Sequence, residues 1–327
     1  MKKIIYSIAV ISAFILTSCE KEEDKESFQS LDSFFENQEV ESVVKSFNAE
    51  EGVQFTTNKG TVVTIPENAF KDQNGALVTG EVKFKIKEVF STSDIIFSEV
   101  FPIANGDPLN SGGEFFTEAL QGGLNLNLAE GKDIKMEMPA QAEDPNMELF
   151  FAGEEEFIDT IDWGNPIDTG FVWENDTNNQ GWVDEAWGTG LYSGFTFQDA
   201  SGTYSINIDR LGWGNIDAFL YVNYFDVTFN CIGVEGLNAS NLTVYSVFKD
   251  QNTVWPCGEG YFGSIDGNVV SESHLADVPM NVLAIAVVNE QLYYGILDVT
   301  PEQGIEYDIE MQTITSEDLE VLINNLP

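Results

Sequence analysis

Four patterns in three stretches hold residue types whose spacing bears on chemistry, and each has a plainer alternative. Asp176, Asn178, Gln180 and Asp184 set oxygen donors at the first, third, fifth and ninth positions of a loop with Gly181 at the sixth, the spacing of a calcium loop. Trp187 stands where a bidentate Glu would complete that set, so the stretch reads either as a weak calcium site or as an Asx-rich turn. Trp173, Trp182 and Trp187 lie beside Asp, Asn and Gln in the same segment. Such rings can stack on sugar faces while polar neighbours bond the hydroxyls, or they can pin a long loop onto a β-sandwich. His274 is the only histidine, in the polar run Ser271-Glu272-Ser273-His274, which reads as a surface loop; no G-x-S-x-G elbow accompanies it. Gly258, Gly260 and Gly263 satisfy G-x-G-x-x-G, but a turn signal at Asp266-Gly267 replaces the helix that a dinucleotide site needs. No catalytic residue is assigned. With 55 Asp plus Glu in the chain, a carboxylate pair of glycosidase type carries almost no information.

Composition narrows the classes further. The 327 residues carry 14 Lys plus Arg, for a formal charge of −41, and a nucleic-acid partner needs clustered cations that are absent. At 43% apolar and 21% charged, the chain is able to bury a sizeable core. Its length suggests two or three domains at roughly 100–200 residues each. The 28 glycines and 12% aromatics favour a turn-rich β protein.

The first residues read as an address. Lys2 and Lys3 precede the apolar stretch Ile4 to Leu16, which spans about 20 Å as a helix, short of the ~30 Å hydrocarbon core. A secretory signal fits better than a membrane span. Leu16-Thr17-Ser18-Cys19 resembles a lipobox, and the resemblance implies that Cys19 is acylated and becomes the new N-terminus after residues 1–18 are removed. Several acyl chains, at ~0.8 kcal/mol per buried methylene, hold a protein durably in outer-membrane lipid. Glu20-Lys21-Glu22-Glu23-Asp24 resembles the export signal of Bacteroidota lipoproteins, which implies exposure at the cell surface. In an oxidising compartment Cys231 and Cys257 form a candidate disulfide worth about 3 kcal/mol, the alternative being two buried free thiols.

The elements that must position these residues are mostly strands. Residues 19–46 read as an acidic tether with an imperfect helical stripe through Leu31, Phe34 and Phe35. Residues 47–152 read as a β-sandwich domain: Val82, Phe84 and Ile86 alternate with Lys83, Lys85 and Lys87, and Asn74-Gly75 signals a tight turn. The three lysines suit a wet strand face that resists pairing with other chains, or a patch for an acidic partner. Residues 153–200 read as an acidic, Trp-rich connection and 201–327 as a second β-rich domain. In the latter, Val282 to Val288 is a continuous apolar run expected of a strand buried on both faces. Thr315-Ser316-Glu317-Asp318 opens a short C-terminal helix. The expected fold class is therefore all-β, two β-sandwich-like domains with a short C-terminal helix.

Several stretches resemble a group of uncharacterised Bacteroidota surface lipoproteins. They are Gly60 to Pro66, Asp72 to Gly75, Phe84 to Glu88, Ser93 to Ile96, Ser111-Gly112-Gly113-Glu114-Phe115-Phe116 and Leu211-Gly212-Trp213-Gly214-Asn215-Ile216-Asp217. Ile216 stands where that group usually has Cys, so no thiol chemistry belongs at this position. Val63 to Ala69 is loosely similar to ZU5-type β-sandwich modules. The resemblance implies a place and an architecture, and it carries no catalytic residues. The expected function is a non-enzymatic binding or structural module at the cell surface, with a glycan or an outer-membrane protein as partner and no cofactor other than calcium. The alternative is an acid-residue polysaccharide hydrolase.

Overall fold

Strand patterning sorts the chain into two sandwiches, antiparallel among the described strands except where residues 228–232 and 306–310 pair in parallel. The computed structural model describes residues 27–38, 40–104, 107–141, 147–151, 196–198, 202–220, 222–258 and 263–326. In the first sandwich, one sheet runs in the order β1 (Val43–Asn48), β5 (Glu81–Val89), β7 (Asp107–Gln121), β14 (Gly212–Phe219), β11 (Glu148–Phe151), with the short β6 (Ile103–Ala104) and β8 (Leu124–Asn125) pairing with β7. The facing sheet runs β12 (Thr196–Gln198), β13 (Thr203–Ile208), β10 (Ile134–Pro139), β3 (Val62–Ile65), β2 (Val53–Thr56). A two-residue ladder of β4 (Phe70–Lys71) with β9 (Asn127–Leu128) closes one side. Alternation decides which faces meet: Val82, Phe84 and Ile86 of β5 are buried against Ile134, Met136 and Met138 of β10, in one core cluster with Tyr204 and Ile206. The Asn74-Gly75 turn forms as expected, with the Asp72 carboxylate accepting from the amides of Asn74 and Ala76 and Gly75 at φ 84.

The second sandwich packs the sheet β18 (Gly263–Asp266), β19 (Val269–Ala276), β15 (Tyr224–Ile232), β22 (Glu306–Glu310) on the sheet β17 (Val254–Cys257), β16 (Leu242–Phe248), β20 (Met280–Val288), β21 (Gln291–Val299), β23 (Gln312–Thr313). The apolar run expected to be buried on both faces is β20, at the centre of its sheet. Its far face is covered by three short helices, α1 (Leu31–Glu36), α2 (Thr92–Ser98) and α3 (Ser316–Asn324), whose apolar residues join the same core. The Ser30 and Ser91 hydroxyls cap α1 and α2 in capping boxes, and Thr315 caps α3.

The all-β class with a C-terminal helix therefore holds, and the domain boundaries move. Part of the expected tether is structural: Phe28, Leu31, Phe34 and Phe35 are buried in the core of the second sandwich, and β1 begins before residue 47. The first sandwich also recruits β12, β13 and β14, which were expected in the connection and the second domain. Alternation in Tyr204 to Ile208 announces a strand but not its partner; the register Ile206 to Met136 is a long-range choice. The three lysines lie on the wet face of an inner strand, where Lys85 Nζ stands 4.0 Å from a Glu118 oxygen.

Helix α2 is inserted between β5 and β7 of the first sandwich, yet Ile95, Ile96 and Phe97 are buried in the core of the second. Phe97 meets Phe34 edge-on at 6.2 Å between centroids, so α1 and α2 pack as one layer. Ile96→Ala is expected to destabilise the protein by about 2–5 kcal/mol through the cavity it leaves. Hydrogen exchange followed on peptides from the strands of each sandwich will show both halves losing stability together.

Candidate functional site

Two of the sequence motifs, a hundred residues apart, are hydrogen-bonded neighbours. Ser111 to Phe116 lies on β7 and Gly212 to Asp217 on β14, with Glu114 opposite Asn215, Gly113 opposite Ile216 and Ser111 opposite Asp217. The register slips between Ile216 and Asp217, leaving Gly112 as the extra residue on β7. That bulge has a positional consequence: Ser111 and Glu114, three apart, reach the same face of the sheet as Asn215 and Asp217. Glycine is required at the bulge, because a Cβ on Gly112 would sit 2.8 Å from the Ile216 carbonyl oxygen and the Tyr204 hydroxyl. Gly113 has φ 131, and a Cβ there would press on the Phe90 ring.

The resulting cluster is polar and closed. Glu114 is 1% exposed, Asp217 0% and Asn215 2%. Asn215 Nδ2 donates to Asp217 Oδ2 at 2.6 Å, and the Gly113 amide donates to Ser111 Oγ at 3.1 Å. Among the described residues, both Glu114 carboxyl oxygens, Asp217 Oδ1 and Asn215 Oδ1 have no hydrogen-bond partner. Burial pushes the Glu114 carboxyl well above the usual carboxylate range, and the neighbouring Asp217 charge adds to this. Burial likewise pushes Asp217 up to about 8, against the opposing pull of hydrogen bonds from Ser111, Asn215 and the Gly112 amide. Such a cluster can share protons or hold a cation. It cannot meet a polysaccharide chain, because its oxygens do not reach the surface.

One step from this cluster, the two sandwiches are joined. The Asn252 side-chain amide donates to the Phe90 and Ser111 carbonyls at 3.0 and 3.1 Å, its backbone amide donates to Asn110 Oδ1, and Thr253 Oγ1 donates to the Leu109 carbonyl at 2.6 Å. Beside this joint lies a cleft of about 570 Å³ lined by Phe90, Ser91, Asn110, Gln141, Gln251 and Asn324. It continues into a second recess of about 720 Å³ around Lys59, Glu88 and Asp94. There Lys59 Nζ pairs with Asp94 Oδ1 at 2.5 Å and donates to the Glu88 carbonyl at 3.0 Å. Burial raises the Glu88 carboxyl, opposed by hydrogen bonds from Thr61 and Thr57. The 570 Å³ cleft itself is walled mainly by neutral amides and hydroxyls, together with Asp250 and the edge of the buried Phe90 ring.

The expected site residues fall elsewhere. Cys19, the calcium candidates Asp176, Asn178, Gln180 and Asp184, and the aromatic candidates Trp173, Trp182 and Trp187 all lie outside the described residues. The expected Cys231–Cys257 disulfide is replaced by two buried free thiols. Cys231 lies on β15 and Cys257 on β17 of the facing sheet, with Cys257 Sγ turned to Ser246 Oγ of its own sheet at 3.2 Å. Burial pushes the Cys231 thiol up to about 12 and the Cys257 thiol higher still, so neither is a ready nucleophile. His274 belongs to strand β19 and not to a loop, at an irregularity between Glu272 and Leu275, which pair with β15. Gly258 follows strand β17 and Gly263 opens strand β18, an all-strand setting with no helix N-terminus for a phosphate.

The acid pair escaped sequence reasoning because two acids among 55 are unremarkable. The available signal was their setting, single carboxylates inside the otherwise uncharged runs Ser111 to Phe116 and Gly212 to Leu220. Among the described residues no group of three or more His, Cys, Asp or Glu side chains gathers, and no helix is long and apolar enough to cross a membrane. No protein-family model matches the chain, and no curated protein matches it.

The raised carboxyls have a signed consequence. Asp217 holds its proton more firmly folded than unfolded, so its contribution to stability is complete near the unfolded value of about 4 and is lost as pH rises to about 8. With chelator present, urea unfolding across this window is expected to show stability falling by on the order of 1 kcal/mol per pH unit. Asp217→Asn will flatten that slope.

Proposed function

We propose that the protein is a lipid-anchored module of the outer membrane, displayed at the cell surface, that binds a glycan without turning it over. The lipobox ending at Cys19 and the acidic export signal after it support the address. The observation that carries the binding reading is the junction cleft, whose walls come from both sandwiches and α3 and present Asn110, Gln141, Gln251 and Asn324 around Phe90. Amide side chains donate and accept at once, as sugar hydroxyls require. The cleft's volume lies in the range of small-molecule sites. Gln251 lines the cleft and is half-buried, which leaves part of its side chain within reach of a ligand.

The strong negative charge supports a neutral ligand and a body that stands off anionic lipid. A hydrolase of the two-carboxylate type needs both groups beside an open groove. The pair with raised carboxyls, Glu114 and Asp217, is sealed within the protein.

Cys19→Ala is expected to abolish incorporation of labelled palmitate and to release the protein from the membrane fraction. On a glycan array the purified protein will retain a subset of neutral glycans. Gln251→Ala will weaken that retention by on the order of tenfold, the worth of one lost hydrogen bond in a closed site, with an unchanged melting temperature. Release of reducing sugar from a polysaccharide panel would overturn the non-enzymatic reading.

A further inference from the structure

The acid cluster between β7 and β14 has no stated role in glycan binding, and its atoms define a separate requirement. Four oxygens from three side chains converge on one face of two adjacent strands: Glu114 Oε1 and Oε2, Asn215 Oδ1 and Asp217 Oδ1. All three side chains are almost wholly buried, and among the described residues no hydrogen-bond donor satisfies these four atoms. Buried polar atoms are nearly always partnered, so four orphans in one place ask for a partner that is not a side chain. No lysine or arginine among the described residues acts on Glu114, whose one charged neighbour is Asp217.

We propose that Glu114, Asn215 and Asp217 hold one calcium ion, which neutralises the paired carboxylates and locks the bulged β7–β14 ladder. The donors are all hard oxygens, and a carboxylate with both oxygens free offers the bidentate grip that calcium favours. Two negative charges match one divalent cation. Asn215 is oriented for the task, because its Nδ2 is engaged with Asp217 Oδ2 and its oxygen is left unengaged. Water completes the usual six to eight ligands at roughly 2.3–2.6 Å. Magnesium insists on near-ideal octahedral geometry, which a bidentate carboxylate with its narrow bite does not supply. The site is distinct from the Asp176 to Asp184 stretch and does not depend on the glycan reading. Its closure means that the ion enters as the strands pair, so metal binding and folding are linked.

The test refolds the full chain from urea in detergent, once in EDTA and once in calcium chloride, and then measures bound calcium by atomic emission and the melting temperature. The expected result is about one tightly held calcium per chain and a higher melting temperature in calcium. Glu114→Gln and Asp217→Asn, made separately, are each expected to weaken calcium binding by on the order of tenfold or more and to lose the calcium-dependent shift. The double change Asp176→Asn with Asp184→Asn is expected to leave that shift intact. A wild-type melting temperature indifferent to calcium overturns the proposal, and that reading stands even if a cluster variant fails to fold. So does a shift that survives in Glu114→Gln or disappears in the Asp176 and Asp184 double variant.

Discussion

Two carboxylates sealed on one face of a β-sheet set the terms for the whole first sandwich. An ionised carboxylate buried without a counter-charge costs several kcal/mol, more than most single contacts return. Glu114 and Asp217 stand close enough for each to act on the other, so the fold is tenable only with protons or a cation between them. Everything that brings them together is specific. The ladder must pair β7 with β14 in one register, the bulge must fall at Gly112, and the two glycines there must leave room for Phe90, Tyr204 and the Ile216 carbonyl. A slip of one residue would turn the acids into the apolar layer between the sheets.

The same strand connects the cluster to the rest of the molecule. Ser111 shares its carbonyl and amide with Asn252, so the residue beside Asp217 is also the point where the second sandwich is fastened. Helix α2 fastens it again a short distance away by burying Ile95, Ile96 and Phe97 in the other core. The cleft lies between these two fixings, and a binding site there inherits walls that are held on both sides. Pre-set walls spare a ligand the cost of ordering them. The N-terminal helix α1 adds to the same layer, so the part of the chain leading from the proposed anchor is built into the distal core and does not hang from the first sandwich.

Local signals in the sequence carried the elements well and their partners poorly. The Lys-alternating strand, the Val282 to Val288 run, the Asn74-Gly75 turn and the Thr315 cap depend on neighbours within a few residues, and each forms where its chemistry points. Strand pairing does not have that property. Tyr204 to Ile208 alternates equally well for either sandwich, and only its fit against Met136 and Met138 assigns it to the first. Helix α2 was hidden by the same limit, because its apolar face fills a core built from residues more than a hundred positions later. The acids of the cluster were hidden by abundance. The two cysteines misled in the opposite direction: a plausible export address made a bridge attractive, while their strands belong to two facing sheets and Cys257 turns to Ser246.

The coupling between Glu114 and Asp217 is the most direct measure of this account. A double-mutant cycle of Glu114→Gln and Asp217→Asn, read by urea unfolding in chelator at alkaline pH where the carboxyls lose their protons, isolates their interaction from the effect of each change alone. Mutual repulsion in a closed site predicts that either single change relieves most of the strain, so the double variant departs from additivity by about 1 kcal/mol or more. Additivity to within about 0.5 kcal/mol would mean that the two carboxyls do not sense each other, and the buried cluster described here would be contradicted.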